Sequence, residues 1–204
     1  MDSSTLRKLS LNLLWEARYR GVTPGRPKPG WSWFLPDCPS LDPDIERALR
    51  EHDIAPCQTL DIGTGTGSQA IALASLGYET TAIDVSDTAL DAARRAAAEQ
   101  RVAVTFLGEN ILLDAPRGPF DLVVDRGCFT LLSVEHQKTY AESVERLSRR
   151  GAWLLLKTDL GKGDAPIRTT LQKGFRLVSI HESAYHAHHR PGTALFSVLR
   201  KASA

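Results

Sequence analysis

Apolar side chains recur at helical spacing along the first twenty residues, at Leu6, Leu9, Leu13 and Leu14, and lead to Trp15 and Tyr19. This spacing predicts an amphipathic helix. The segment 21–43 that follows is rich in proline and glycine and contains the aromatic cluster Trp31, Trp33 and Phe34. Proline and glycine break regular structure, so we predict an irregular loop that carries too much aromatic surface to be an idle linker.

From residue 59 onward, short strand-like runs alternate with helical runs. The strand-like runs cover 59–62, 80–84, 102–107, 120–125 and 153–158, and the helical runs cover 69–76, 88–99 and 134–147. This alternation is typical of parallel strands joined by crossover helices. After residue 159, the runs 175–181 and 194–199 are separated by a polar, histidine-rich stretch, which predicts an antiparallel pair.

These elements together predict the fold class. We expect an α/β, doubly wound, mostly parallel seven-stranded sheet of the Rossmann-like kind, with an antiparallel C-terminal strand pair and an N-terminal helical cap. The 204 residues suffice for one sizeable core and are too few for two ordinary domains. We therefore expect a single domain over 1–204, in which 1–43 form a cap or lid segment and 44–204 form the core.

Charge, cysteine content and hydropathy exclude several classes of protein. The 25 basic and 24 acidic residues leave a net charge of +1, so no global field attracts the chain to nucleic acid or to a membrane surface. The three cysteines form no CxxC pair, which argues against a disulfide framework and a zinc site. No apolar run has the length of a signal peptide or of a membrane span. We expect a cytoplasmic monomer or homodimer with no nucleic-acid and no membrane partner.

A glycine-rich loop ends one predicted strand and opens the next predicted helix. Gly63, Gly65 and Gly67 alternate in the sequence LDIGTGTGS. Glycine tolerates positive φ and lets a ligand lie against the backbone, while a helix start offers free N–H donors to a carboxylate. Asp84 ends the next strand at the same sheet edge, where it can accept both hydroxyls of a ribose. Asp61 precedes the loop, where it can hold the loop or receive an ammonium group.

A nicotinamide dinucleotide would also require a glycine loop and a downstream acid. Here the third glycine is Gly67, and Ser68 occupies the position where a dinucleotide site has glycine. The chain also lacks a Tyr-x-x-x-Lys pair for hydride chemistry and a GxxxxGK[ST] loop for ATP. These features argue against NAD and against ATP bound by a P-loop.

Four segments of the chain resemble motifs of the class I S-adenosylmethionine-dependent methyltransferases. They are LDIGTGTG, AIDVS, FDLVVDRGCF and GAWLLLK, and the resemblance extends from about residue 61 to 201. Within that superfamily, VVDRGCF and HESAYHAHHRPGTALFSVLRKA are similar to the small bacterial enzymes grouped with thiopurine and other thiol methyltransferases. The resemblance implies methyl transfer from S-adenosyl-L-methionine to a small-molecule acceptor, with S-adenosyl-L-homocysteine as the product.

The resemblance also implies which residues bind the cofactor. The glycines line its methionine part, Asp84 its ribose, and residues after the third strand its adenine. Many relatives have Gly-Asp at that last position, whereas this chain has Glu109 and Asn110, so either could meet the adenine amino group. The full set of expected cofactor contacts is Asp61, Gly63, Thr64, Gly65, Gly67, Asp84, Val85, Glu109, Asn110, Ile111, Asp125 and Arg126.

The acceptor side is less defined by the sequence. In similar enzymes the N-terminal segment folds over the cofactor, and the expected acceptor contacts are Trp15, Tyr19, Trp31, Trp33, Phe34, Phe129, Tyr185 and His186. Asp125 is the candidate catalytic residue, as an orienting or proton-accepting group, and its alternative role is to brace a loop through hydrogen bonds. Cys128 is interpreted as a packed residue without chemistry.

Thr130 stands where similar proteins often have histidine, so a candidate base is missing and a soft or pre-ionised acceptor such as a thiol is favoured. The alternatives are an O- or N-methyltransferase that uses a histidine base, and a protein that binds the cofactor without catalysis. His186 and His188 would share one strand face, but no carboxylate or thiol cluster accompanies them, so we expect no metal.

Overall fold

The computed structural model describes residues 3–21, 40–113, 116–185 and 192–202. Within these residues, seven strands form one sheet in the order β3-β2-β1-β4-β5-β7-β6. The strands are β1 (Gln58–Ile62), β2 (Glu79–Ile83), β3 (Thr105–Leu107), β4 (Phe120–Arg126), β5 (Ser148–Asp159), β6 (Phe175–Tyr185) and β7 (Gly192–Lys201). The first five strands run parallel, and β7 is antiparallel to both β5 and β6. The predicted fold class is confirmed.

Helices lie on both faces of this sheet. They are α1 (Ser3–Tyr19), α2 (Pro43–Glu51), α3 (Ser68–Ser75), α4 (Asp87–Gln100), α5 (Val134–Leu147) and α6 (Ala165–Thr170). Side-chain caps fix several starts: Ser86 accepts from the Ala89 amide at α4, and Ser133 accepts from the His136 amide at α5. Such caps give a hydrogen-bond partner to an amide of the first helical turn, which has none within the helix.

The strands at the centre of the sheet are buried on both faces. Along β4, Leu122 and Val124 belong to the core that includes α2 and α3, whereas Val123 belongs to the core that includes α5 and α6. A parallel sheet between two helix layers requires such continuous apolar runs. This packing holds the carboxyl ends of β1, β2 and β4 at one rigid edge.

Several elements differ from their predicted bounds. The edge strand β3 is restricted to Thr105–Leu107 because it pairs only with β2 over these residues. Strand β5 begins at Ser148, which pairs with Phe120 before a register shift in β4. Helix α2 was not predicted, although Asp42 as N-cap and Pro43 at the first helical turn are ordinary start signals.

None of the helices in the described ranges combines the length and the hydropathy needed to cross a bilayer.

Candidate active site

A cleft opens at the carboxyl edge of the sheet and encloses about 780 Å³, part of it open to solvent. Its walls include many of the residues singled out by the sequence: Trp15, Tyr19, Gly63, Asp84, Val85, Glu109, Asn110, Ile111 and Arg126. Other described residues from the same prediction do not form its wall, namely Asp61, Thr64, Gly65, Gly67, Asp125 and Phe129. The predicted set therefore divides into a cleft surface and a supporting layer.

The glycine loop has the backbone geometry that its sequence implies. Gly63, Gly65 and Gly67 have φ values of +68°, +57° and +86°. A Cβ on Gly63 would lie 2.8 Å from the Cys128 Cβ, and one on Gly67 would lie 2.8 Å from the Ala93 Cβ. Positive φ and these close approaches both require glycine. The loop is thereby pressed between α4 and the segment that follows β4.

Asp84 lines the cleft and is hydrogen-bonded to the glycine loop. Its Oδ2 accepts a hydrogen bond of 2.8 Å from the Gly65 amide, and its Oδ1 accepts one of 3.0 Å from the Ser86 amide. Burial raises the pKa of this carboxyl, although the amide donors oppose the shift. A carboxylate has about four acceptor positions, so both oxygens can still receive ligand hydroxyls.

Asp61 is hydrogen-bonded to the glycine loop and does not line the cleft. Its Oδ2 accepts a hydrogen bond of 2.6 Å from the Thr64 hydroxyl. Burial raises the pKa of Asp61 to about 7, and the nearby charges of Asp125 and Asp84 add to the effect. Of the two roles considered for Asp61, the structure shows the loop-holding one.

Asp125 is fully engaged in bracing the turn after β4. Its Oδ1 accepts from the amides of Gly127 and Cys128 at 2.9 and 2.7 Å. Its Oδ2 accepts from the Phe129 amide at 2.9 Å and from the Tyr140 hydroxyl at 2.7 Å. Burial raises its pKa to about 6 against these donors. The arrangement favours the bracing alternative over proton transfer.

Phe129 is a core residue in this structure. It is 1% exposed and packs edge-on against Tyr140, with ring centroids 5.2 Å apart. It does not reach the cleft, so we no longer count it among the acceptor contacts. Cys128 does line the cleft, but burial raises the pKa of its thiol well above the usual range, which leaves it protonated.

Helix α1 lies across the cleft and is anchored by Glu16. The Glu16 carboxylate accepts hydrogen bonds from the Ser86 hydroxyl at 2.6 Å and from the Thr88 hydroxyl at 2.7 Å, at the start of α4. These bonds lower the pKa of Glu16 to about 2. The contact brings Trp15 and Tyr19 to the cleft wall, where burial raises the pKa of Tyr19.

The two candidates for the adenine end differ in their surroundings. Asn110 is 5% exposed; its Oδ1 accepts from the Leu112 amide at 2.9 Å, and its amide nitrogen donates to Asn12 at 2.7 Å. Its carboxamide therefore links the loop after β3 to α1. Glu109 stands beside it in the cleft wall.

Sequence reasoning missed a buried ionic cluster behind Arg126. Asp42, which is 0% exposed, accepts from Arg126 Nε at 2.8 Å and from Lys157 Nζ at 2.7 Å on each oxygen. Asp44 also contacts Lys157, at 2.8 Å. The only local signal was a lysine directly after the apolar run WLLL of a central strand, where a charge needs a partner.

Several predicted acceptor contacts lie outside the described residues. These are Trp31, Trp33, Phe34 and His186, together with the side chain of Tyr185. Within the ranges that the structure does describe, no group of three or more His, Cys, Asp or Glu side chains could hold a metal ion. Thr130 is buried, and its hydroxyl accepts from the Asp159 amide at 3.2 Å, so it ties the turn after β4 to the end of β5.

Comparison with known proteins identifies the family. A methyltransferase-domain family matches residues 59–151. The chain is 30% identical to the 2-heptyl-1-hydroxyquinolin-4(1H)-one methyltransferase of Mycobacteroides abscessus over 147 residues, which are 70% of this chain and 62% of that protein. The chain thus spans less than two thirds of that relative's length. It is also 31% identical to an uncharacterized methyltransferase of Schizosaccharomyces pombe over 100 residues, which are 48% of this chain and 68% of that protein.

Solved structures agree on the fold. Magnesium protoporphyrin IX methyltransferase from Synechocystis PCC 6803, crystallised with bound S-adenosylmethionine, superposes with a TM-score of 0.71 at 17% identity, over 99% of this chain and 98% of that one. The sheet order, the glycine loop with its downstream acid, and the sequence matches agree with one another. The chain belongs to the class I S-adenosylmethionine-dependent methyltransferases.

Proposed function

We propose that this chain transfers the methyl group of S-adenosylmethionine to a small-molecule acceptor. The observation that supports this most strongly is that Gly63 and Asp84, which follow adjacent parallel strands, face one cleft at the sheet edge. Open α/β sheets bind ligands at this edge. The hydroxyquinolinone methyltransferase relative, at 30% identity, supports a small molecule as the acceptor.

The described residues fit the nucleoside part of this cofactor. Asp84 retains acceptor positions for the ribose hydroxyls beside its bonds to the loop. Val85 and Ile111 supply apolar wall for an adenine ring. The Oδ1 of Asn110 already accepts from the Leu112 amide, whereas a carboxylate has about four acceptor positions, so we assign the adenine amino group to Glu109.

The amino-acid part of the cofactor fits the other end of the cleft. Gly63 exposes its backbone there, and Arg126 supplies a cation to a carboxylate. Asp61, Thr64, Gly65 and Gly67 act by holding the loop in shape. Tyr19 and Trp15 close the cleft from above, and we propose that 1–43 act as a cap on the core formed by 44–204.

The cofactor supplies an electrophilic methyl group on a sulfonium, so the protein mainly has to align it with the acceptor. Positioning of this kind contributes about 7–11 kcal/mol to catalysis. Tyr19 and Trp15 exclude water, and Asp125 acts as a positioning residue by fixing the turn 127–129. A proton has to be removed only from an acceptor that arrives un-ionised.

The acceptor atom is proposed from the groups that face the cleft. Its described wall contains no histidine, Asp125 is occupied by donors, and the Cys128 thiol stays protonated. With the carboxylates of Asp84 and Glu109 assigned to the cofactor, the described part of the wall offers the acceptor no base, which suits a nucleophile that ionises by itself near neutral pH. We propose a thiol or another readily ionised group, in keeping with the resemblance to thiol methyltransferases.

Transfer of a labelled methyl group tests the proposal. The purified protein is incubated with methyl-labelled S-adenosylmethionine and a panel of thiols, hydroxyquinolinones, phenols and amines, beside the Asp84→Asn variant. We expect labelled product with at least one small acceptor and at least tenfold less with the variant. Binding of the cofactor without transfer to any acceptor would instead support a non-catalytic binding protein.

A further inference from the structure

The charged side chains of the described cleft wall are Asp84, Glu109 and Arg126. The proposed function assigns all three to the cofactor. Asp84 meets its ribose, Glu109 meets its adenine amino group, and Arg126 meets its amino-acid carboxylate. The part of the described wall that is available to an acceptor therefore carries no charged side chain.

That available part of the wall is mostly apolar. It is formed by side chains of α1 and of the segments after β3 and β4, namely Leu11, Trp15, Leu112, Cys128, Leu131 and Leu132. Leu11 and Trp15 are four residues apart in α1, so they lie on the same face of the helix. Leu11, Cys128 and Leu132 also pack partly against the core of the sheet. Apolar surface thus extends from the core into the cleft.

Half of these side chains lie away from the adenine end of the cleft. In the sheet, β1 lies between β2 and β4, and β3 lies on the far side of β2. The proposed adenine contacts Glu109 and Ile111 follow β3, whereas Cys128, Leu131 and Leu132 follow β4. Because these strands are parallel, their carboxyl ends meet the cleft in the same order as the strands. The segment after β4 is therefore placed to contact a second molecule beside the cofactor.

Hydrogen bonds hold this segment in one conformation. Asp125 accepts from the Cys128 amide at 2.7 Å. The amides of Leu131 and Leu132 donate to carbonyls of the same turn at 3.0 and 3.2 Å. The Thr130 hydroxyl accepts from the backbone of β5 at 3.2 Å. The two leucines thus present a preformed surface, which loses little conformational entropy when a ligand binds.

A preformed apolar wall discriminates between acceptors by their charge. A charged group beside these side chains would lose hydration without gaining a partner, which disfavours its binding. In contrast, each methylene group that leaves water against such a wall strengthens binding about fourfold. The wall therefore favours a molecule whose body is apolar.

We propose that the acceptor has an uncharged, lipophilic body, which lies against Leu131 and Leu132 and contacts Leu11 and Trp15 of the cap. This inference rests on the proposed function, because it takes the cofactor to occupy the charged part of the cleft. It narrows the thiol or other readily ionised acceptor proposed above to one without a second charge. A thiol that also bears a carboxylate or an ammonium group is a poor substrate.

Calorimetry on the protein saturated with S-adenosylhomocysteine tests the acceptor side of the cleft separately from the cofactor side. The probes are 2-naphthol and 6-hydroxy-2-naphthoate, which has the same ring and hydroxyl with one added carboxylate. We expect 2-naphthol to bind at least tenfold more tightly. Leu131→Asn should weaken 2-naphthol at least fivefold and change S-adenosylhomocysteine less than twofold. Leu76→Asn, at a leucine that is 54% exposed and outside the cleft wall, is the matched control and leaves both affinities unchanged.

Leu11→Gln provides a second variant, from α1, if Leu131→Asn does not fold. Glutamine has a high helix propensity, so the helix is retained, and we expect the same selective loss of 2-naphthol. Equal affinities for the two probes, no binding of 2-naphthol, or unchanged 2-naphthol binding by the folded variants would overturn the lipophilic acceptor site. An equal loss of 2-naphthol and S-adenosylhomocysteine would overturn it too, because the leucines would then serve the cofactor. Failure of the wild-type protein to bind S-adenosylhomocysteine would instead contradict the proposed function.

Discussion

The hydroxyl of Tyr19 lies directly over Gly65, so that a Cβ built on this glycine would be 2.7 Å from Tyr19 Oη. The two residues belong to α1 and to the glycine loop, which are far apart in the sequence. Their contact allows the N-terminal helix to close the cleft. The absence of a side chain at Gly65 is therefore required by the cap as well as by the positive φ of +57°.

Gly65→Ala is expected to loosen the cap and to weaken cofactor binding. The left-handed conformation costs a non-glycine residue about 1–2 kcal/mol, and the added methyl group displaces Tyr19. We expect at least tenfold weaker binding of S-adenosylhomocysteine by calorimetry and faster amide exchange in α1.

A second substitution separates the two causes. In Tyr19→Phe the clashing oxygen is removed, and the nearest remaining ring atom would lie 3.8 Å from the new Cβ. Gly65→Ala/Tyr19→Phe should therefore recover the slow exchange of α1 but not the full stability of the loop. Persistent fast exchange in the double variant would show that the contact with Tyr19 is not what displaces α1.

Glu16→Gln is expected to detach α1 from α4. The carboxylate accepts from Ser86 and Thr88, and those bonds lower its pKa to about 2. Its contribution is present above pH 4.5 and is lost as the pH falls toward 2. At neutral pH, hydrogen exchange in α1 should rise about tenfold in the variant. Arg20→Gln is the control, because this exposed partner of Glu16 contributes least, and equal effects of the two substitutions would contradict the assignment.

Asp125→Asn distinguishes bracing from proton transfer. The amide cannot accept from all the donors that the carboxylate serves, and each buried donor left without a partner costs about 1–3 kcal/mol. The free energy of unfolding, measured in urea, should fall by at least about 2 kcal/mol, and Tyr140→Phe should lower it less. A variant with wild-type stability and a large loss of kcat would show instead that Asp125 acts on the reacting groups.

Asp61 makes stability depend on pH in a defined direction. Burial raises its pKa to about 7, so the folded protein favours the protonated form, and stability falls as the pH rises from about 4 through 7. Asp61→Asn mimics the protonated state. Its melting temperature should therefore exceed that of the wild type more at pH 8 than at pH 5. A difference that does not change with pH would contradict the shift.

Much of the fold could be predicted because its signals are local. The glycines of 63–67 and the apolar runs of β1 and β4 indicate a parallel sheet with a ligand at its carboxyl edge, and the structure has that sheet. The capping hydroxyl of Ser86 was also readable, because a cap lies within three residues of its donor. The start of α2 had equally local signals and was overlooked.

The cleft itself was only partly predictable, because its details depend on contacts between distant residues. Lys157 and Asp42 are 115 positions apart, and their pairing follows from the packing of α2 on the end of β5. Phe129 has an aromatic side chain in the right segment, but the turn braced by Asp125 directs it into the core. Neither contact can be derived from the spacing of residues in the sequence. The first depends on how α2 packs on the end of β5, and the second depends on the conformation of the turn after β4.

Calorimetric titration with S-adenosylhomocysteine, on the wild-type protein and on Asp84→Ala, measures whether this cleft binds the cofactor. We expect micromolar binding by the wild type and at least tenfold weaker binding by the variant, which corresponds to about 1.4 kcal/mol. The circular dichroism of the variant serves as the folding control. No binding by a folded wild-type protein, or equal binding by both proteins, would contradict the assignment of this cleft as the cofactor site.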